Sequence, residues 1–169
     1  MLFFLLYKEG GVITAKIFLD MYPKLLRYAL SLTKRKAAAE DIVMEVITKL
    51  LGADNLPVDV NIEAYAMRSV KNLFLNTNKK ESREVGERNE DGDSVYETTE
   101  DPTSGRFIDD GDLNRMLMGM EIKCREILTL HALGNSYKEI SEVLAIKAGT
   151  VMSRMARCRE HLDPIMGER

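Results

Sequence analysis

The sequence has few of the residues that build metal sites or covalent cross-links. Its 169 residues include two cysteines, Cys124 and Cys158, and two histidines, His131 and His161. Two cysteines are too few for a disulfide framework or a four-cysteine zinc site, and the pairs Cys124/His131 and Cys158/His161 supply too few ligands to close a zinc site. We therefore expect no metal and no other cofactor, and a chain that works reduced in the cytoplasm.

Long apolar runs are also missing. The apolar run at the start of the chain ends at Leu6, is soon followed by Lys8 and Glu9, and has no basic residue before it. It is too short for the core of an export signal and far shorter than the roughly 20 residues that cross a bilayer. We expect residues 1–12 to form an apolar extension that packs on the protein or on a partner, and no segment to insert into a membrane.

The common signatures of catalysis are absent as well. The sequence contains no glycine-rich phosphate loop and no carboxylate pair, and its two histidines belong to no larger cluster. The ten methionines are better explained as adaptable filler of cores and interfaces than as a cofactor site. No catalytic residue is predicted, and the function should lie in binding.

Apolar residues recur at helical spacing in two blocks of the chain. The first block, residues 13–83, contains three such stripes, and the second, residues 113–169, contains four, without strand-like alternation or an internal repeat. Between them, residues 84–112 hold eleven acidic and two basic residues, so this segment cannot bury enough surface to offset its ordering entropy. The sequence predicts an all-α protein in which two small helical domains are joined by a flexible acidic linker.

Local signals in the second block predict two short helices with a tight turn between them. Ser136 suits an N-cap, and Glu139 three residues later completes a capping box. The first helix should run to about Ala145, and residues 146–149 should turn the chain before Thr150 opens the second helix. This arrangement is a helix-turn-helix, whose second helix enters the DNA major groove.

The predicted second helix has a local surplus of positive charge. No acidic residue occurs from position 143 to position 159, although the whole chain has a net charge of −3. If Val151, Met155 and Cys158 face the core, the opposite side can reach phosphates and base edges. On spacing alone, a solvated charged face explains these side chains equally well. The outward side is predicted to hold Thr150, Ser153, Arg154 and Arg157.

Three stretches resemble one protein family. SYKEISEVLAIKAGTVMSRMARCREHL, residues 136–162, resembles region four of the extracytoplasmic-function (ECF) sigma factors of bacterial RNA polymerase. AEDIVMEVITKLL, residues 39–51, and AYAMRSVKNLFLNTNKK, residues 64–80, resemble region two of the same family. The resemblance covers about residues 15–83 and 112–163 and leaves out the linker and the apolar extension.

Several residues differ from the usual consensus sequence of the family. Met44 replaces glutamine, Tyr65 replaces tryptophan and Asn76 replaces aspartate. Ala145 stands where the turn often has glycine, and Met152 stands where the last helix is often basic. The change at Met152 bears on how strongly the chain reads the upstream promoter element.

The resemblance implies a protein that performs no covalent chemistry and lends promoter recognition to core RNA polymerase. Its second domain would read the minus-thirty-five element of promoter DNA as duplex, through Lys147, Gly149, Thr150, Met152, Ser153, Arg154 and Arg157. Its first domain would melt the minus-ten element and hold the non-template strand, through Arg68, Lys71, Asn72, Asn76, Lys79 and Lys80. A base pocket is expected in the loop over residues 52–62.

The resemblance also implies two protein partners. One is core RNA polymerase, and the other is an anti-sigma factor that covers the DNA-binding surfaces. The helix that begins near residue 40 would dock on the polymerase through an acidic and apolar edge. This edge consists of Asp41, Ile42, Met44 and Glu45.

Two other functions stay open. A sigma-like decoy would have the same two domains and would sequester an anti-sigma factor without directing transcription, although such mimics usually carry a receiver domain that does not fit in 169 residues. A plain helix-turn-helix regulator would use only the last fifty or so residues and would need a dimerisation element to read a two-fold site. No heptad run is present, and this alternative leaves residues 39–80 unexplained.

Overall fold

The computed structural model describes residues 15–53, 61–85 and 117–161, with side chains except at 15–16 and 80–85. These ranges contain no strand, which confirms the all-α class. The apolar extension over residues 1–12 lies outside them, as do most of the acidic linker and most of the expected base-pocket loop. The helices of eight or more residues are α1 (Ala15–Thr33), α2 (Lys36–Gly52), α3 (Ile62–Val85), α4 (Ile122–Ala132), α5 (Tyr137–Leu144) and α6 (Ala148–Glu160).

Helices α1, α2 and α3 form the first helical domain around the apolar stripes expected from the sequence. In α2 the buried side chains include Ile42, Val43, Val46 and Leu50, which recur every three or four residues. The amide of Asn61 caps α3, because its Oδ1 accepts a hydrogen bond from the backbone N–H of Ala64 at 3.2 Å.

Helix α1 is buried on nearly all sides over its last turns. Of residues 25–33, only Arg27 is exposed. Two buried hydroxyls are satisfied within the helix: Ser31 donates to the carbonyl of Tyr28 at 2.7 Å, and Thr33 donates to the carbonyl of Ala29 at 3.0 Å. A helix that is buried all round needs neighbours on two sides, and here the second neighbour is α4 of the other domain.

The second helical domain consists of α4, α5 and α6. The capping box of α5 is confirmed, because the Ser136 hydroxyl accepts from the N–H of Glu139 while the Glu139 carboxylate accepts from the N–H of Ser136. Helix α6 begins at Ala148 rather than Thr150, so the turn is shorter than expected. The turn closes through Ala145, which adopts the left-handed conformation with φ 54° and ψ 41°.

The two domains pack directly on each other. Helix α4 lies against α1, and α5 lies against α3, so one continuous apolar core extends through both domains. The sequence predicted two tethered units and carried no signal for this contact. The first two residues of the expected acidic linker, Glu84 and Val85, still belong to α3.

The two cysteines are bonded to each other. Cys124 of α4 and Cys158 of α6 form a disulfide, with 5.3 Å between their Cα atoms. The expectation that both are reduced is therefore wrong for this structure. The physical reason is that Cys158 lies on the buried side of α6, which places it against α4 although the two cysteines are 34 residues apart in sequence.

We expect Ala145→Gly to raise the free energy of unfolding by about 0.5–1 kcal/mol. The left-handed conformation costs an L-residue roughly 1–2 kcal/mol, and the greater freedom of glycine in the unfolded chain offsets part of the gain. Equilibrium unfolding in urea measures the difference. The matched control is Ala156→Gly at an exposed position inside α6, which should lower stability by about 1 kcal/mol. A loss of stability in both variants would contradict the prediction.

Candidate nucleic-acid interface

Helix α6 presents a buried side and an outward side. Val151, Met155 and Cys158 are buried, as the sequence predicts. On the opposite side Ser153 and Arg157 are exposed, whereas Thr150 and Arg154 are half-buried on its flank. The apolar side chain of Met152 is 57% exposed and stands on the other flank. The outward side therefore presents a guanidinium group and a hydroxyl, with a thioether on one flank, and groups of these kinds can contact base edges in a major groove.

The amino-terminal end of α6 is open. Lys147 is the N-cap residue, is exposed and makes no side-chain hydrogen bond to the helix. The first turn contains no acidic residue, and nothing lies within 4 Å of the position that a Cβ would occupy on Gly149. The partial positive charge of the helix end, the Lys147 ammonium and the uncovered backbone at Gly149 thus lie together at one end of the outward side.

Two arginines of α6 differ in where their head groups point. Arg157 Nε donates to the carbonyl of Ser153 one turn earlier, at 3.4 Å, so its guanidinium stays on the outward side. Arg159 Nη2 lies 3.0 Å from Nε2 of His131, which belongs to α4. The charge of Arg159 is therefore directed along the protein surface, although the sequence counts it among the basic residues of this helix.

Helix α3 carries an exposed polar stripe. Arg68, Asn72, Asn76 and Lys79 are separated by four, four and three residues, which places them on one side of the helix. All four are exposed. The side chain of Lys80 lies outside the described part of the chain. The stripe is about eleven residues long, or roughly 16 Å at the rise of an α-helix, enough to follow several nucleotides of a single strand.

Lys71 does not belong to this stripe. Its Nζ lies 3.0 Å from Oε1 of Glu126 in α4, and its side chain is 20% exposed. The expectation that Lys71 faces outward with the other cations is therefore not met in this arrangement. The reason is the contact between the domains, because α4 brings a carboxylate to the side of α3 on which Lys71 lies. Glu126 is the residue that the sequence did not single out.

Glu126 lies at the centre of a polar junction between the two domains. The side chain is almost fully buried, and besides Lys71 it accepts a hydrogen bond from the hydroxyl of Tyr28 in α1 at 2.8 Å. Burial and the neighbouring carboxylate raise the pKa of Tyr28 well above its ordinary value of 10.0. Tyr28 therefore stays protonated and remains a donor throughout the neutral range.

Arg125, next to Glu126, ties α4 to the end of α1. It is 3% exposed, and its guanidinium donates to the backbone carbonyls of Ser31 and, at 3.0 Å, of Met120. Burial lowers the pKa of Arg125 to about 10, and the charge of Glu126 opposes that shift. At neutral pH the guanidinium keeps its charge, so the junction holds two buried opposite charges on consecutive residues.

A second polar contact joins the start of α3 to the start of α5. Nδ2 of Asn61 donates to Oε1 of Glu139 at 3.0 Å, while Oε2 of Glu139 accepts from the backbone N–H of Ser136 at 2.8 Å. The hydrogen bonds from the backbone and then the side chain of Ser136 hold the pKa of Glu139 below its ordinary value. The carboxylate therefore serves the capping box and the contact between the domains together.

The residues expected to dock on RNA polymerase divide between the surface and the core. Asp41, Met44 and Glu45 are exposed on α2, and Glu45 pairs with Lys49 at 2.6 Å. Ile42 is buried, so its side chain cannot form part of a docking surface in this structure, because it lies on the side of α2 that packs into the core. Leu51, seven residues after Met44, is exposed and adds a second apolar side chain to the same side of the helix.

The structure also bears on metal binding and membranes. Among residues 15–53, 61–85 and 117–161, no group of three or more His, Cys, Asp or Glu side chains is placed to hold a metal ion. The cysteines of the two Cys/His pairs are joined to each other. Within the same ranges, no helix combines the length and the apolar character needed to span a bilayer.

Comparison with known proteins identifies the two domains. The family model "Sigma-70 region 2" matches residues 17–84, and the model "Sigma-70, region 4" matches residues 110–162. The ECF RNA polymerase sigma factor EcfG of Rhodopseudomonas palustris (strain TIE-1) is 28% identical over 148 residues, which are 85% of this chain and 80% of that protein.

A solved structure matches the arrangement of helices. It is the co-crystal structure of the sigma factor RpoE in complex with the anti-sigma factor NepR from Bartonella quintana, with a TM-score of 0.70 and 26% identity over 91% of this chain and 97% of that chain. Two helical domains in this order define a sigma factor of the region-two and region-four type. The chain belongs to the sigma-70 family, within its extracytoplasmic-function group. Sigma factors are regulatory subunits and are not enzymes by themselves.

We expect the stability of the wild-type chain to fall more steeply above pH 10 than that of Tyr28→Phe, by about 1.4 kcal/mol per pH unit. The raised pKa keeps Tyr28 protonated in the folded state, while an unfolded tyrosine loses its proton near pH 10. The stabilisation is complete below that pH and is lost as pH rises through the folded pKa. Urea unfolding of both chains between pH 9 and roughly 11.5 measures the slopes, and equal slopes would contradict the burial of this phenol.

Proposed function

We propose that this sigma factor directs core RNA polymerase to promoters by reading the minus-thirty-five element with α6 and by melting the minus-ten element with α3. The single observation that supports the proposal best is the pairing of two outward polar surfaces, one in each sigma domain, on helices whose other sides are buried. Transcription takes place where the chromosome and the polymerase are, so the proposed place of action is the cytoplasm.

In the duplex-reading step, α6 lies in the major groove. The Lys147 ammonium and the backbone at Gly149 bind phosphate and fix the position of the helix on the duplex. Arg157 and Ser153 reach base edges. Arg154, which is half-buried on the flank of α6, contacts the wall of the groove. Thr150 and Met152 contact the two sides of the groove, where the thioether suits the methyl group of thymine.

In the strand-holding step, α3 binds the melted minus-ten element. Arg68 and Lys79 are cations that neutralise phosphates, and Asn72 and Asn76 offer amide groups to base edges between them. Lys71 joins this surface once the contact with Glu126 opens, and Lys80 continues it toward the end of the helix. Extruding a base costs a few kcal/mol, which the proposed pocket in the loop over residues 52–62 must offset.

The proposed polymerase-docking surface is the exposed side of α2. Asp41 and Glu45 supply negative charge, while Met44 and Leu51 supply apolar area that no other part of the described chain covers. A charged rim around exposed apolar side chains is typical of a protein interface. Ile42 supports this surface from the core and is not a contact residue in the proposal.

An anti-sigma factor is the proposed second partner. The proposal rests on the similarity to the RpoE chain, whose structure is of a complex with the anti-sigma factor NepR. A decoy that only sequesters such a factor is the alternative function. The observation in its favour is the exposed Met152, an apolar residue in place of a cation on the proposed DNA-reading helix.

The decisive experiment adds the purified full-length chain to core RNA polymerase and footprints fragments of the genome of the source bacterium. We expect a stable complex and opened promoters. A double variant, Met44→Asp with Leu51→Asp, should keep its helical circular dichroism and lose polymerase binding, since it places charge in the proposed interface. Leu19→Asp is the matched control, because Leu19 is an exposed apolar residue on α1, 73% accessible. Absence of any complex would overturn the proposal, and binding without promoter opening would favour the decoy.

We expect Arg157→Ala to weaken binding to a recovered minus-thirty-five duplex by roughly 5- to 150-fold, which corresponds to the 1–3 kcal/mol of a good base contact. Arg159→Ala is the matched control on the same helix, because its head group contacts His131, and its effect should be less than about threefold. Fluorescence anisotropy at a fixed salt concentration measures both. Equal losses in the two variants would indicate a general charge effect.

A further inference from the structure

The cysteine pair is not explained by the proposed function. The chain has two cysteines, and the fold brings both to one place on the interface between α4 and α6. Their Cα atoms are 5.3 Å apart, which is within the range that a disulfide requires without backbone movement. In proteins of the cytoplasm, disulfides are rare and are usually transient, so a preformed pair of this kind suggests a redox role.

The two cysteine residues differ in exposure. Cys158 is 3% exposed and lies in the core with Val151 and Met155, whereas Cys124, in the first turn of α4, is only partly buried. A small oxidant can therefore reach Cys124 first, while Cys158 is held next to it and shielded from the solvent. This is the arrangement of an attacked cysteine and a resolving cysteine.

The bond lies near the end of α6. Val151 and Met155 anchor the first part of the helix, and Cys158 is its last buried residue. Beyond it, the described chain offers the contact between Arg159 and His131. Among the described residues, the last turn of α6 without the disulfide would be held by one small buried side chain and one exposed contact. With the disulfide, that turn is covalently attached to α4.

We propose that Cys124 and Cys158 form a reversible redox site, oxidised by a hydroperoxide and reduced by a low-molecular-weight thiol, that controls how firmly the last turn of α6 is held. This inference rests on the proposed function in two respects, which are that the chain acts in the cytoplasm and that α6 reads DNA. Cys124 also precedes Arg125 and Glu126, so the bond connects α6 to the polar junction between the domains through a single helix.

The chemistry balances with the reagents named. The thiolate of Cys124 attacks one oxygen of the hydroperoxide, the O–O bond breaks, and Cys124 becomes a sulfenic acid while the second oxygen leaves as water or an alcohol. The thiol of Cys158 then attacks the sulfenic sulfur, the S–S bond forms, and water leaves. Two low-molecular-weight thiols reverse the bond by two exchange steps and are themselves oxidised to their disulfide.

The first test follows the thiols and the stability of the full-length chain. The reduced protein is treated with hydrogen peroxide, alkylated with a maleimide and weighed by mass spectrometry. We expect both thiols to become unreactive toward the maleimide, and the mass to be two hydrogens lower than that of the reduced chain before alkylation. The unfolding temperature should rise by about 5–15 °C, since the bond closes a loop of intermediate length. Mixtures of reduced and oxidised glutathione should convert the two forms into each other.

Amide hydrogen exchange measures the order of α6 directly. The amides near the end of α6 should exchange more slowly in the oxidised form, while those of α2 should be unchanged. The double variant Cys124→Ser with Cys158→Ser is the matched control for oxidation of the methionines, and its exchange and unfolding temperature should not respond to peroxide. Because Cys158 is buried and its replacement can impair folding, Cys124→Ser alone serves as a second control.

The outcomes distinguish failure of the redox site from failure of the proposed function. A bond that fails to form with peroxide, that resists every glutathione mixture, or that changes neither unfolding temperature nor α6 exchange would overturn the proposal. If the redox response is present, the oxidised form should bind a promoter fragment recovered with core polymerase roughly 2- to 10-fold more tightly, because its reading helix is preorganised. A redox response in a chain that binds no promoter in either form would leave the redox site in place and remove the proposed function.

Discussion

The packing of the two described helical domains on each other depends on one buried carboxylate. Glu126 of the second domain can be buried because the hydroxyl of Tyr28 and the ammonium of Lys71, both from the first domain, satisfy it. An unpaired charge at that position would be strongly unfavourable, so the domains must meet in one register to bring the three groups together. The apolar surfaces of α1 and α4 supply the favourable burial, and the carboxylate determines how they fit.

The same interaction specifies the junction more than it strengthens it. A buried ion pair contributes little net stability relative to the same groups in water, because hydration returns most of what the contact supplied. The pair therefore selects the register in which the domains meet, while the apolar core that extends through both supplies the burial. In the function proposed above, Lys71 would exchange a protein carboxylate for a nucleic-acid phosphate without a change in the kind of interaction.

Local features of the sequence predicted the local features of the structure. The capping box at Ser136 and the buried stripe of α6 depend on neighbours within four residues, so their signals are present in the sequence itself. The role of Lys71 could not be obtained in this way. Ile42 resembles a docking residue by motif, but it also belongs to the apolar stripe of α2, and the structure places it in the core as that stripe predicts.

The sequence pattern also did not show which residues far apart in the chain contact each other. Tyr28 and Glu126 are 98 residues apart, and the two cysteines are separated by 34. Periodicity shows that a side of a helix is apolar, but it does not show what covers that side. The sequence predicted an apolar stripe on α1, whereas its last turns are buried on nearly all sides because α4 of the other domain packs on them.

The hydrogen bonds through Asn61 and Glu139 connect the first turn of α3 to the first turn of α5. Asn61 caps α3 with one atom of its amide and binds Glu139 with the other, while Glu139 closes the capping box of α5 with its second oxygen. Each capping group is therefore held in place partly by its counterpart in the other domain. If the domains separated, both first turns would lose an orienting partner together, so fraying at these two points, 78 residues apart in sequence, would be a correlated motion.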